Sequence, residues 1–459
     1  MKITIKNLGI LESAEYELGD LTVVCGKNNT GKTYAAYALY GFLDYWRNSY
    51  EFQVDPVLFE EFQNNGEVLI TPEHIRDRLQ KNLVQAYQKY CQEQLPTILG
   101  YPPDSTKQFK NCKFCVTIDN IPLIRLFDHD IIKCRNFSYD NFQDNVKFDV
   151  EKNGLRIYRL QQQTSQKYLF NVIIKLLISK EIIPCASFAS ADRIGAAMFS
   201  DEIRYLRDEL YQKKEISFDK KRPIDYPLPV LENLNTIRDS LLSPPQLTED
   251  IQDVFRELLG GNFEITNGKL YFIPLCSDNL SLTVAESSSS VHSLLSLWLQ
   301  LCNKIKILKS PNMFMIDEPE MNLHPINQRL LAKIFVRLVN LGYKIYITTH
   351  SDYIVKELNT LILLHRRNKN NDDVMKQYGY SEKEFLDPNR VRVYMAQEIE
   401  TKKMKTKTSP TTGLKIPKFP KCTFIRATID ELGIDLPSFD TTIDEMNRIQ
   451  MELLAGDDE

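Results

Sequence analysis

The run Leu21-Thr22-Val23-Val24-Cys25 is apolar and β-branched, and it reads as a buried strand. Gly26-Lys27-Asn28-Asn29-Thr30-Gly31-Lys32-Thr33 follows it and fits G-x-x-x-x-G-K-[ST] in full. From Thr33 to Trp46 the apolar residues Ala36, Leu39, Tyr40 and Leu43 recur at helical spacing, so a helix opens where the loop closes. Gly26 and Gly31 let the backbone curl until its N–H groups point at phosphate oxygens. The helix N-terminus adds the positive end of its dipole. Lys32 is placed to bridge the terminal phosphates of a nucleoside triphosphate, and Thr33 to ligand Mg²⁺. A chance match in a surface loop lacks this strand before it and this helix after it.

A second apolar run, Met313-Phe314-Met315-Ile316, ends in Asp317-Glu318. An aspartate at the tip of a buried strand can hold Mg²⁺, and the glutamate beside it can polarise the attacking water. General-base help of that kind contributes about 10²–10⁴ in rate. Alone, the two acids read equally well as caps; with the phosphate loop present they read as catalytic. The next strand closes in Thr348-Thr349-His350-Ser351. His350 is placed to hydrogen-bond a γ-phosphate, or else it stands incidentally beside the cap that Ser351 or Asp352 gives the following helix. Ser287-Ser288-Ser289-Ser290 precedes Val291–Ile305, a helix apolar nearly all round and therefore buried. Hydroxyls and amides at a helix start make either a phosphate site or a plain N-cap.

From Ser281 onward strands and helices alternate, as a parallel sheet with covering helices requires. Lys32 and Asp317 must meet at one nucleotide although 285 residues separate them in the chain. The expected organisation is therefore one α/β head split in sequence. Residues 1–47, 183–199 and 263–459 form the head. Residues 48–182 form an insertion lobe and 200–262 a helical insertion.

The 459 residues are 43% hydrophobic and 26% charged, which excludes disorder for most of the chain. A net charge of −4 argues against a uniformly basic coat for nucleic acid. One local exception is the run Lys402, Lys403, Lys405, Lys407, Lys415, Lys418 and Lys421, with no acid among them and Arg366, Arg367 and Lys369 as an extension. It is either a mobile loop that touches DNA phosphates or a solvated face. No run of about 18 apolar residues is present, so no membrane span is expected; Tyr168–Ile183 is interrupted by Lys175, Lys180 and Glu181. No secretory pattern opens the chain, and its nine cysteines are scattered, which points to a cytoplasmic protein with reduced thiols. Cys112-Lys113-Phe114-Cys115 lacks a second pair, and zinc needs four ligands.

Phosphate loop, serine-rich helix start, hydrophobic-Asp-Glu strand and Thr-His strand stand in the order of ABC-type ATPase heads. Asp317-Glu318-Pro319-Glu320 with Leu323-His324-Pro325 resembles the Walker-B and D-loop run of the SMC/RecF/RecN branch. Asn28-Asn29-Thr30-Gly31-Lys32-Thr33 looks like the NN[ST]GK[ST] loop of RecF-like and phage-defence ATPases. Ser287–Ser290 matches the ABC signature, with Ser290 in place of the usual glycine. Ala189-Ser190-Ala191-Asp192-Arg193-Ile194-Gly195 resembles a Pro-x-x-Arg-like segment of defence ATPases; a simple Asp192–Arg193 ion pair is the alternative. Size and loop spelling are similar to the ATPase subunits of Septu anti-phage systems.

The resemblance implies an ABC-type P-loop head, a mixed sheet with flanking helices, that binds ATP and Mg²⁺. It implies pairing with a second copy, head to head or in a higher oligomer, with Ser287–Ser290 reaching the partner's ATP. No histidine follows His365 and no Toprim-style acidic set is visible, so a nuclease effector is expected on a separate subunit. A DNA-repair or DNA-clamping ATPase of the SMC/RecF kind is the competing class. It would want a long coiled coil, and no long heptad run is present.

Overall fold

The computed structural model describes residues 1–101, 109–118, 146–151, 154–159, 171, 175, 182–199, 226–242, 249–266, 269–276, 280–307, 312–366, 371–399, 406–408, 415–417, 421–430, 433–435 and 448. The chain opens with β1 (Lys2–Leu8), β2 (Leu11–Glu17), β3 (Leu21–Gly26) and α1 (Lys32–Asn48). Next come α2 (Pro56–Asn65), β4 (Glu67–Ile70), α3 (Pro72–Lys89), α4 (Leu95–Ile98), β5 (Lys113–Thr117), β6 (Val146–Glu151) and β7 (Gly154–Arg159). The middle holds β8 (Cys185–Ala189), α5 (Arg193–Met198), α6 (Leu228–Leu242), α7 (Glu249–Leu259), β9 (Gly261–Thr266), β10 (Lys269–Pro274) and β11 (Leu282–Thr283). It is followed by α8 (Ser289–Ile307), β12 (Asn312–Asp317), α9 (Pro325–Asn340), β13 (Lys344–Thr349), α10 (Asp352–His365) and α11 (Asn371–Tyr378). The last strands are β14 (Val391–Glu398), β15 (Thr406–Thr408), β16 (Lys415–Pro417), β17 (Cys422–Arg426), β18 (Thr428–Asp430) and β19 (Gly433–Asp435).

Nine strands form the main sheet in the order β5-β1-β2-β17-β14-β3-β13-β12-β8. From β14 to β8 every pair is parallel. Beyond β14 the pairing is mixed, because β17 runs antiparallel to β14, and β1 runs antiparallel to β2 and β5. The sheet is buried on both faces, and side chains alternate between them. Val24, Met315, Tyr346 and Tyr394 face α1 with its Leu39 and Phe42. Val23, Cys25, Phe314, Ile316 and Ile347 face the helices α8, α9 and α10. Leu39 and Phe42 have no exposed surface, and burying a side chain of that kind stabilises by about 1.5–3 kcal/mol.

The register places the site. Cys25 pairs with Thr349, and Thr348 pairs with Asp317. The carboxyl ends of β3, β13 and β12 therefore stop at one level, where an open α/β sheet holds its ligands.

Several sequence expectations meet structure here. The α/β head with a mixed, helix-flanked sheet is present, and β9 and β10 form a hairpin with Thr266 opposite Lys269. Two strands of the main sheet, β2 and β17, were not legible in the alternation. Leu11, Ala14 and Tyr16 of β2 are buried, but the acids between them disguise the pattern. In β17 only Cys422 and Phe424 are buried. The segment after Asn48 also joins the head: β5 pairs with β1, and Leu83, Tyr90 and Phe114 share one core with α1. The tract 168–181, the first part of the 200–262 insertion and most of the lysine-rich run fall wholly or mainly outside the described residues. Among the described residues no helix is long and apolar enough to cross a membrane.

Candidate functional site

The loop between β3 and α1 is glycine-dependent at two points. Gly26 has φ 134°, and a Cβ there would run into the Ala396 carbonyl oxygen of β14. Gly31 has φ 88°, and a Cβ there would come within 2.6 Å of Leu11. Between them Lys27, Asn28 and Asn29 are exposed, with Asn29 in the left-handed region, while Thr30 is buried and donates to the Lys27 carbonyl at 2.8 Å. Lys32 is only 4% exposed. Its ammonium donates to the carbonyls of Gly26 at 3.0 Å and Lys27 at 2.8 Å, so the cation sits inside the ring that phosphate would enter. Burial lowers its pKa to about 8, while Glu318 and Asp317 act to hold the proton on.

Asp317 ends β12 and is almost wholly buried. Its Oδ1 accepts from Thr33 Oγ1 at 3.3 Å and from the Thr348 hydroxyl. Its Oδ2 is buried with no partner. Burial pushes its pKa up to about 6, against the hydrogen bond from Thr348. An orphaned carboxylate oxygen beside a threonine hydroxyl is a donor set that fits Mg²⁺, whose ligands are hard oxygens. Thr33 and Asp317 are thus brought together as the sequence required.

Glu318 follows in the left-handed region, with φ 48°. Its amide donates to the Thr348 carbonyl at 3.0 Å and lies 3.3 Å from the Thr348 hydroxyl oxygen. Its carboxylate oxygen Oε1 is 3.2 Å from His350 Nε2, and this bond holds its pKa below the ordinary range. Ser351, not Asp352, caps α10 by accepting from the Ile354 amide at 3.2 Å. Glu320 is a participant that sequence reasoning missed. Its Oε1 accepts from the Thr349 hydroxyl at 2.8 Å and the His350 amide at 2.5 Å, while Oε2 is buried without a partner. Burial raises its pKa. An acid two residues beyond Glu318 was the available signal.

Arg193 forms no ion pair with Asp192 among the described residues, which corrects that alternative. The guanidinium is 1% exposed and spends its donors on neutral acceptors. These are the carbonyls of Ser190 (3.1 Å), Asp317 (2.8 Å), Glu318 (2.8 Å) and Ser293 (2.9 Å), and the Ser293 hydroxyl (3.1 Å).

Ser287–Ser290 lie at the start of α8. Ser287 Oγ donates to the Thr283 carbonyl at 2.8 Å, and Ser288 and Ser290 share a hydrogen bond of 2.8 Å. Among the described residues none of the four is hydrogen-bonded to Gly26–Thr33.

The AAA ATPase domain family matches residues 1–355 of the chain. Solved structures similar to it include the SMC head domain from Thermotoga maritima, at 9% identity, 93% of this chain, 98% of that chain and a TM-score of 0.32. Another is the Smc head domain with an extended coiled coil bound to the C-terminal domain of ScpA derived from Pyrococcus furiosus, at 10% identity, 98% of each chain and a TM-score of 0.31. A third is the SmcHead bound to the C-winged helix domain of ScpA, at 12% identity, 78% of this chain, 90% of that chain and a TM-score of 0.32. No curated protein matches. The phosphate loop, the Asp317–Glu318 strand tip and the strands that align them all fall inside the matched residues, and the chain belongs to the AAA ATPase domain family.

Proposed function

We propose that the chain hydrolyses ATP as the ATPase subunit of an anti-phage defence complex, and that head pairing gates a nuclease carried by a separate subunit. The observation that carries the catalytic part is the meeting of Lys32, Thr33, Asp317, Glu318 and His350 at the ends of three adjacent parallel strands. In this reading the amides of Gly26–Thr33 and the Lys32 ammonium hold the phosphates. Thr33 and Asp317 hold Mg²⁺, which supplies charge neutralisation on the phosphate oxygens when bound. Glu318 orients the attacking water and takes its proton, and His350 holds the Glu318 carboxylate in place. Ser288 and Ser289 are exposed at the start of α8, and none of Ser287–Ser290 is hydrogen-bonded to its own phosphate loop, which supports their reaching the ATP of a second head.

The defence assignment is supported by the spelling of the phosphate loop, Asn28-Asn29-Thr30-Gly31-Lys32-Thr33. Two measurements test the reading. Lys32→Ala should abolish ATP binding in calorimetry; unchanged affinity removes the site assignment. Co-purification with the product of the neighbouring gene, with mass measured with and without ATP, should yield a nuclease complex. A homogeneous single-subunit product under both conditions removes the effector part.

A further inference from the structure

A buried guanidinium is costly unless its donors are met, and a purely structural arginine usually meets a carboxylate. Arg193 instead gives all of its hydrogen bonds to carbonyl and hydroxyl oxygens. Burial lowers its pKa to about 10, with Asp317, Glu320 and Glu318 near enough to favour the charged form. The acceptors come from three elements: the exit of β8, the tip of β12 and the first turns of α8.

Two of these contacts bear on the water-activating group. Glu318 is a non-glycine residue at φ 48°, a conformation that persists only where the surroundings over-determine it. Thr348 holds its amide from one side, and Arg193 Nη2 holds its carbonyl at 2.8 Å from the other. The same Nη2 reaches the Ser293 hydroxyl, which in turn donates to the Met321 carbonyl at 2.9 Å. Ser293 lies one helical turn beyond Ser289 and Ser290, so the serine-rich start of α8 is bonded twice to the turn that carries Glu318. Behind this junction Asn233 donates to Ser190 Oγ at 2.6 Å and accepts from Ser296 at 3.1 Å, which closes a buried polar network around the arginine.

We propose that Arg193 is a positioning residue. It fixes the left-handed turn that aims Glu318, and it joins that turn to α8, so that seating of Ser287–Ser290 on a partner head's ATP is felt at Glu318 of the same chain. This rests on the ATPase reading above.

The test compares Arg193→Met, Arg193→Lys and Ser293→Ala with the natural chain in ATP calorimetry, thermal unfolding and steady-state hydrolysis over a range of protein concentrations. In Arg193→Met, kcat should fall by about 10²-fold while KM and ATP affinity move less than about threefold. Lysine offers three donors in place of five, so Arg193→Lys should recover part of kcat. In Ser293→Ala, turnover per head should lose its rise with protein concentration. If Arg193→Met does not fold, the other two variants carry the test. A kcat within about twofold of natural in Arg193→Met overturns the proposal. So does a parallel fall of kcat, affinity and melting temperature that lysine does not relieve. Failure of the natural chain to bind ATP defeats the ATPase reading itself, whereas normal turnover with indifferent Arg193 variants defeats only this proposal.

Discussion

Glu318 illustrates how little of a site's geometry is written in a single residue type. Its carboxylate meets His350, its amide meets Thr348 and its carbonyl meets Arg193. Glu318→Gln preserves shape and the contact to His350 but removes the proposed base. ATP affinity should persist, hydrolysis should drop by about 10²–10⁴-fold, and ATP should accumulate on a closed dimer. Single-turnover hydrolysis with light scattering reads all three, and natural turnover in the variant would end the base assignment. The positions Gly26–Thr33, Asp317, Glu318 and His350 were legible because each belongs to a short pattern with a strand beside it. Glu320 and the partners of Arg193 were not. Their counterparts are backbone amides, backbone carbonyls and hydroxyls brought in from distant segments, and such groups leave no trace in side-chain spelling.

Among the elements, the strands that sit on the fold's mixed side were the hardest to read. β2 carries Glu12, Glu15 and Glu17 on positions that are not buried, and β17 is short, so neither shows a clean run. The parallel strands β3, β12 and β13 are buried on both faces and read as continuous apolar runs. Glycine at the end of β3 answers to a neighbour rather than to its own loop alone. Gly26→Ala puts a methyl group against the Ala396 carbonyl at a φ of 134°. The variant should lose more than about 1 kcal/mol of stability and most of its ATP affinity. Thermal unfolding with and without ATP checks both, and an unchanged melting temperature would show that β14 yields.

For the whole molecule, the separation of Lys32 from Asp317 already required one head rather than a string of domains. The register of β3, β13 and β12 supplies the means. Less of the segment after Asn48 was legible, because its contribution to the main sheet, β5, is a single short strand far from its partner β1 in sequence. Under the proposed function, heads would pair through the serines at the start of α8. Ser290→Arg should leave ATP affinity unchanged and abolish any ATP-dependent doubling of mass in size-exclusion light scattering. Doubling that survives the arginine places the start of α8 outside the contact between heads.

The place of β3 in the sheet also dictates an order of assembly. Both of its neighbours, β13 and β14, are contributed by residues 344–398, so the strand that ends in the phosphate loop is made early and paired late. At a synthesis rate of about 5–20 residues per second, its edges wait on the order of tens of seconds for partners. Through that interval Leu21–Gly26 is an apolar, unpaired strand, the kind of segment that seeks other chains. Any fragment that stops before Val391 leaves it with one open side. On the ATPase reading, a nascent chain is therefore expected to bind nucleotide only once nearly all of the head has emerged.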